Sequence, residues 1–344
     1  MKIYFASYPS LNLTPGGPNY KITALKSALE NLDLKVKYFN MWDFNFKYKE
    51  KALFHVFNAS ISTYPIAINL KKLGIPYVVN PIFFSNHSAK TIKFYCKLEK
   101  LSRTIFKRSY SDYELTRSVC EAAEKVLPNT MEESKLLQKA LGINLNKIRV
   151  IPNGVEKRFK SADPELFQRK YNLKDFILYV GHLGPYRKNS LNIIKALQQI
   201  DHPSVVIADS LENWEGKKCL EEIEKTTRIK YLGWLDHDDP LFASAYAACN
   251  TFILPTRYET PGRAALEAGL AGAKIVITPH GGTREYFKEW AFYPNVSSVK
   301  SIKSNIIKAL DSTPHPELVE HILANYTWDR IATQTLELYS ELID

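Results

Sequence analysis

Short apolar runs closed by Pro, Asn or Gly recur along the chain, and between them apolar residues return every three or four positions. The runs fall at 3–6, 34–39, 53–57, 76–80, 124–127 and 147–151, then at 176–180, 205–208, 229–232, 251–254 and 274–278. Runs this short, bounded by turn residues, predict buried strands. Helical spacing marks Ile22, Leu25 and Leu29, the stretch 90–108, the stretch 130–140, the segment after Leu191, the Ala-rich 241–248, 263–271, 298–310 and the closing 318–344. Thr130 and Glu133 open one of these helices as a capping-box pair. Strand and helix alternating in this way predict parallel sheets covered by helices, an α/β fold of two Rossmann-like domains. At 344 residues the chain is long enough for two cores. The expected division is 1–155, 156–325 and a terminal helical segment 326–344.

Ligands of parallel sheets sit beyond the carboxyl ends of the strands. The densest chemistry lies there, over 250–287. The run 251–254 leads through a loop with Glu259, Thr260, Pro261 and Gly262 into a helix carrying Glu267, and the next run leads to His280, Gly281, Gly282 and Glu285. A loop carboxylate and a helix carboxylate eight residues on can meet one polyhydroxylated ligand. Read alone, Glu267 would be a solvated helix carboxylate and Glu259 a loop charge. Gly16 and Gly17 precede a helix, where backbone N–H groups favour an anion. The Gly-x-Gly-x-x-Gly pattern of dinucleotide enzymes is absent.

Glu259, Gly262 and Glu267, followed in register by Gly281, Gly282 and Glu285, resemble the Glu-x7-Glu signature of the retaining glycosyltransferases of family four. The resemblance covers nearly the whole chain, densest over 126–156 and 176–287. It implies the GT-B fold, two Rossmann-like domains whose parallel sheets face a central cleft, with a C-terminal helix crossing back to the first domain. It implies a nucleotide diphosphate sugar as donor, a hydroxyl acceptor, no metal and no separate cofactor. Glu259 would bind the transferred sugar and Glu267 the ribose. Arg187 and Lys188 would clamp the diphosphate, helped by the Gly16-Gly17 and Gly281-Gly282 loops. Gly233, Trp234 and Leu235 would meet the base. The sequence departs from the family at several places, among them the loop 209–216, which lacks the family's usual glycines. His182 stands where an Arg is usual, and it lacks the guanidinium fork. Pro261 offers no N–H where the family uses one. Asn80-Pro81 replaces a histidine after the 76–80 strand, so His87 is a late candidate for that place, beside the acceptor-side candidates His55 and Asn58 at the end of their strand.

Composition changes this picture little: 45% hydrophobic and 24% charged residues are ordinary for a globular protein. The four cysteines are scattered without Cys-x-x-Cys, which argues against a zinc or disulfide framework. With no leader and no long apolar segment expected, a cytoplasmic protein is predicted. Charge is more telling. Residues 1–152 hold 23 Lys and Arg against 11 Asp and Glu, while the rest is nearly balanced. An anionic partner of the first half is expected. Over 90–108, Phe94, Leu98, Leu101 and Ile105 are flanked by Lys93, Lys97, Lys100, Arg103, Lys107 and Arg108. This helix reads either as a solvated basic face or as one lying on an anionic membrane. The aspartates at 236–239 precede Pro240 and read as helix caps, not a metal motif.

The expected function is retaining sugar transfer onto a saccharide or lipid-linked saccharide in cell-surface polysaccharide or glycoconjugate synthesis, cytoplasmic or peripheral at the inner membrane face. Alternatives are a glycosidase pair, a nucleotide-sugar epimerase or hydrolase of the same fold, or a non-catalytic anion-binding protein. Nucleic acid is not an expected partner, since no motif for it is present.

Overall fold

The computed structural model describes residues 2–13, 16–47, 51–85, 87–102 and 110–343. The chain forms two compact units, residues 1–154 with 328–344, and residues 155–327.

The first unit is built on a five-stranded sheet of β1 (Lys2–Ala6), β2 (Val36–Tyr38), β3 (Ala52–Phe57), β4 (Tyr77–Asn80) and β5 (Lys125–Val126), in the order β2-β1-β3-β4-β5. Every pairing is parallel. All six residues of β3 are buried, because helices cover both faces, and this explains an apolar run without alternation. The two faces separate by parity. Leu53 and Phe57 pack with Ile22, Leu25 and Leu29 of the helix Gly17–Glu30 and with Ile331, Leu338 and Tyr339 of the final helix Trp328–Ile343. Phe54 and Val56 pack instead with Ala67 and Leu70 of the helix Tyr64–Lys72, with Ile92 of Ala89–Ser102 and with Val119 of Asp112–Ala122. The chain therefore returns its last helix to the first sheet, as the GT-B fold requires, and Arg149 pairs with Glu341 at 2.5 Å to hold it.

Parity also relocates His55. It shares its face with Leu53 and Phe57, so it lies under the final helix and not at the strand's open end. Its ring stacks on Phe57 with centroids 4.1 Å apart, its Nδ1 is 2.6 Å from the Tyr339 hydroxyl, and it is 2% exposed. Two other expectations are corrected. The run 147–151 is not a strand: Leu145–Lys147 is a 3-10 turn, and Ile148 makes a single bridge to Val126. At the helix Met131–Leu136, Thr130 Oγ1 accepts the Glu133 N–H at 2.9 Å. The Glu133 carboxylate turns to the N–H groups of Asn129 and Phe83, each at 2.7 Å, and not to that of Thr130. Of the basic helix, Arg103, Ile105, Lys107 and Arg108 lie outside the described residues.

The second unit holds β6 (Ile177–Leu183), β7 (Ser204–Ser210), β8 (Ile229–Tyr231), β9 (Thr251–Leu254), β10 (Lys274–Ile277) and β11 (Ala291–Phe292), in the order β11-β10-β9-β6-β7-β8. All pairs are again parallel. The order reverses between β6 and β9, and ligands of open α/β sheets bind at such a switch point. The helices Ser190–Leu197, Trp214–Glu224, Pro240–Ala248, Arg263–Leu270 and Val299–Leu310 link or cover these strands.

Burial, with the nearby Lys21 charge adding to it, holds the His55 imidazole well below 6.5. The folded state therefore keeps it neutral while the unfolded chain takes up a proton below about pH 6.5. Stability is expected to fall with acidification by up to about 1.4 kcal/mol per pH unit through this residue alone. Denaturant titrations from pH 7.5 to 5 should show a shallower decline for His55→Gln than for the wild type; parallel declines would remove His55 from the account.

Candidate functional site

The loops after β6 and β9 are fastened to one another across the switch point. Asn189 is 2% exposed with a left-handed φ of 55°. Its Nδ2 donates to the Pro255 carbonyl at 3.0 Å and to that of Val296 at 2.8 Å. The Arg257 N–H donates to the Arg187 carbonyl at 2.9 Å. On the other side, the Glu259 N–H donates to the His280 carbonyl at 3.1 Å. Gly281, at φ 93°, lies so close that a Cβ there would sit 2.2 Å from the Glu259 carbonyl oxygen. Only glycine permits that approach. The backbone thus fixes Glu259 from both sides.

Into this frame the short turn Tyr186–Lys188 projects two cations onto one carboxylate oxygen. Glu259 Oε1 is 2.7 Å from Arg187 Nη1 and 3.0 Å from Lys188 Nζ. The Glu259 and Lys188 side chains are 10% and 13% exposed, Arg187 37%. Burial alone would raise the Glu259 carboxyl, but Lys188 and Arg187 together outweigh it and hold it below the usual range. Burial pushes the Lys188 ammonium down; Glu259 opposes this, and the like charge of Arg187 adds to it. The three residues carry a net positive charge in a partly dry setting, where an anion is attracted strongly.

Glu267 has a different environment. It is 1% exposed, which excludes a solvated helix carboxylate. Its Oε1 is 3.0 Å from His237 Nε2 and 3.1 Å from Arg263 Nε, and its Oε2 accepts the Tyr246 hydroxyl at 3.0 Å. Burial would raise this carboxyl too, and Arg263, His237 and Tyr246 reverse the shift. A glycosidase pair needs two carboxylates flanking a substrate bond; Glu267, engaged on both oxygens, is poorly placed to serve as one of them.

Around these groups, Gly262 (φ 89°) caps the helix Arg263–Leu270. Thr260 is half-buried and Pro261 buried. Gly282 (φ 93°) precedes the helix Thr283–Phe287, which carries the half-buried Glu285. His182 closes β6 opposite Asp209 of β7. Its ring lies 5.5 Å from that of Trp234 at 18°, and its imidazole is lowered by burial and then by Lys188. Trp234 is 48% exposed, Gly233 has φ 68°, and Leu235 packs against the core. Asp239 caps the helix Pro240–Ala248 by accepting the Leu241 N–H at 2.8 Å.

In the first unit, Gly16 and Gly17 need not be glycine for the fold. Neither lies in the left-handed region, Gly16 being extended at φ 167°, and a Cβ at either meets nothing within 4 Å. Asn58 turns the chain after β3 with φ 74°, and His87 is exposed with Nδ1 3.0 Å from the Tyr113 hydroxyl. A buried cation of the first unit escaped the sequence reading. Lys21 is 6% exposed, with Nζ 3.0 Å from Asn80 Oδ1 and 2.6 Å from Asn129 Oδ1. Burial pulls it down to about 7, against the opposing charge of Glu133. Its one sequence signal was position, four residues before Leu25 on the buried face of its helix.

The two parallel-sheet units define a GT-B fold, and solved structures agree. The chain is similar to sucrose-phosphate synthase from Thermosynechococcus elongatus, with TM-score 0.76 and 17% identity, covering 100% of this chain and 99% of that one. It is also similar to Anabaena HepE in a complex with UDP and glucose, with TM-score 0.70 and 18% identity over 99% of this chain and 100% of that one. Residues 165–323 match the family described as Glycosyl transferases group 1. Among curated relatives, the chain is 27% identical to O-antigen chain mannosyltransferase B of Escherichia coli over 51% of its own length and 48% of the relative's. It is 25% identical to an uncharacterised glycosyltransferase of Methanocaldococcus jannaschii over 56% and 54%. The chain thus spans about half the length of the curated relatives it matches.

Proposed function

We propose that the protein moves a sugar from a nucleotide diphosphate sugar to a hydroxyl acceptor with retention at the anomeric carbon, as a glycosyltransferase of family four. One observation carries the reading: Arg187 and Lys188 converge on the buried Glu259 at the sheet's switch point. An incoming diphosphate would take over the two cations and free Glu259 to accept hydrogen bonds from the sugar's hydroxyls. As the bond from the anomeric carbon to the phosphate oxygen breaks, Arg187 and Lys188 stabilise the charge that develops on the leaving group. The acceptor oxygen bonds to the anomeric carbon on the same face, and the departing phosphate oxygen takes its proton. These two cations do the work without a metal. Glu267 holds the ribose, and the segment with Gly233, Trp234 and Leu235 holds the base. HepE, whose structures contain UDP and UDP-glucose, and the O-antigen chain mannosyltransferase relative support a hexose donor; the acceptor in this reading is a saccharide or lipid-linked saccharide of cell-surface polysaccharide synthesis.

The basic helix supports a place at a cytoplasmic membrane face. In Ala89–Ser102, Ile92 and Cys96 point inward. At about 3.6 residues per turn, Phe94, Leu98 and Leu101 fall on the opposite side, where they are 58%, 46% and 68% exposed. Lys90, Lys93, Lys97 and Lys100 are exposed alongside. Apolar side chains edged by lysines suit an anionic bilayer surface, and such a surface would present a lipid-linked acceptor.

Thermal-shift screening against UDP, GDP, ADP and their sugars should find a stabilising donor. With that donor, Arg187→Ala combined with Lys188→Ala is expected to slow transfer by about 10²-fold or more. An unchanged rate rejects the clamp, and release of free or epimerised sugar in place of a glycoside rejects transfer. In a sedimentation assay, vesicles containing phosphatidylserine should carry the protein down and neutral vesicles should not. Phe94→Ser with Leu98→Ser should abolish the difference; equal sedimentation of variant and wild type would dismiss the membrane contact.

A further inference from the structure

A chain of side chains leads from the start of the second unit to Glu267. Arg158 lies on the turn Lys157–Ser161, anchored by Glu156 Oε2 at 2.7 Å from its Nε. Its Nη2 donates to the His237 carbonyl at 2.7 Å and lies 3.0 Å from His237 Nδ1. Guanidinium nitrogens only donate. Nδ1 also lies 3.5 Å from Asp238 Oδ1, but the shorter Arg158 contact makes Nδ1 the acceptor, which puts the ring proton on Nε2, where it donates to Glu267 Oε1 at 3.0 Å. Arg158 thereby selects the tautomer of His237. The ring is confined between Phe159 and Phe242, with centroids 5.7 and 5.3 Å away.

The consequence falls on Glu267. A carboxylate has about four acceptor positions. His237 and Arg263 fill Oε1, while Oε2 takes the Tyr246 hydroxyl, which leaves the remaining position on Oε2. We infer that His237, set by Arg158, is a positioning residue that orients the Glu267 carboxylate for a ribose hydroxyl. The inference rests on the nucleotide-binding reading above and adds to it the group that aims its ribose contact. Neither the Glu-x7-Glu spacing nor the loop after β8 pointed to His237, which reads in sequence as one residue of a capping segment.

Leu at 237 removes the Nε2–H donor, whereas Gln can place an amide N–H near the same point. Calorimetric titration of the full chain with UDP, GDP and ADP, each beside its 2′,3′-dideoxy counterpart, separates the outcomes. The wild type should bind one of the three and prefer the ribose form. His237→Leu should weaken the ribose form by about tenfold, leave the dideoxy form unchanged and so bring the ratio toward one, and His237→Gln should restore it. If His237→Leu does not fold, Arg158→Leu, which frees Nδ1 to carry the proton, should shift the ratio the same way. A wild-type ratio in the variant, or equal losses for both ligand forms, overturns the positioning role alone. Wild type that binds none of the three diphosphates overturns the nucleotide reading and this inference with it.

Discussion

A carboxylate buried at the switch point of a parallel sheet is costly unless it is paired, and Glu259 is paired twice. Much of the second unit's loop architecture follows from that. Asn189 ties the β6 loop to the β9 loop, Gly281 brings the β10 loop to the Glu259 backbone, and Arg187 and Lys188 are delivered to the same oxygen. Without an anionic ligand the carboxylate is the cations' partner. In the proposed function that pairing is exchanged: the ligand's charge replaces that of Glu259, and Glu259 turns to hydroxyls. The partial exposure of Arg187 suits the member that must move most.

In the proposed function Glu259 and Glu267 divide the work by environment. Glu259 meets groups that a ligand can take over. Glu267 meets His237 of the turn after β8, Arg263 of its own helix and Tyr246 of the helix Pro240–Ala248, so its carboxylate is held in one orientation. A ribose repeats in every nucleotide and suits a fixed acceptor, while sugars differ and suit an acceptor with slack.

Much of this was legible in the sequence because buried parallel strands leave continuous apolar runs. The strands ending at Leu254 and Ile277 place Glu259 and Gly281 at their carboxyl ends, as the apolar runs predict, whereas the pairing of Arg187 and Lys188 with Glu259 was not legible in the spacing. What escaped depends on facts that spacing does not encode. His55 seemed to face an open strand end, but whether odd or even residues of β3 lie under the final helix is decided by distant packing. Lys21 and Glu133 look like surface charges by type, yet the asparagines and backbone amides that make their burial tolerable come from β4, the β5 loop and the 81–85 segment. The tautomer of His237 depends on Arg158, 79 residues away.

The exchange of partners at Glu259 is the step on which the mechanism turns, and it makes an opposed pair of demands on one substitution. Glu259→Gln removes the charge that competes for Arg187 and Lys188 while keeping the shape. Affinity for the bare nucleoside diphosphate should rise, by about tenfold if the competition is worth roughly 1.4 kcal/mol, while sugar transfer from the full donor should collapse. Calorimetric titration of the variant measures the first quantity directly. Tighter binding with lost transfer is the predicted result; unchanged or weaker binding of the diphosphate would contradict the account.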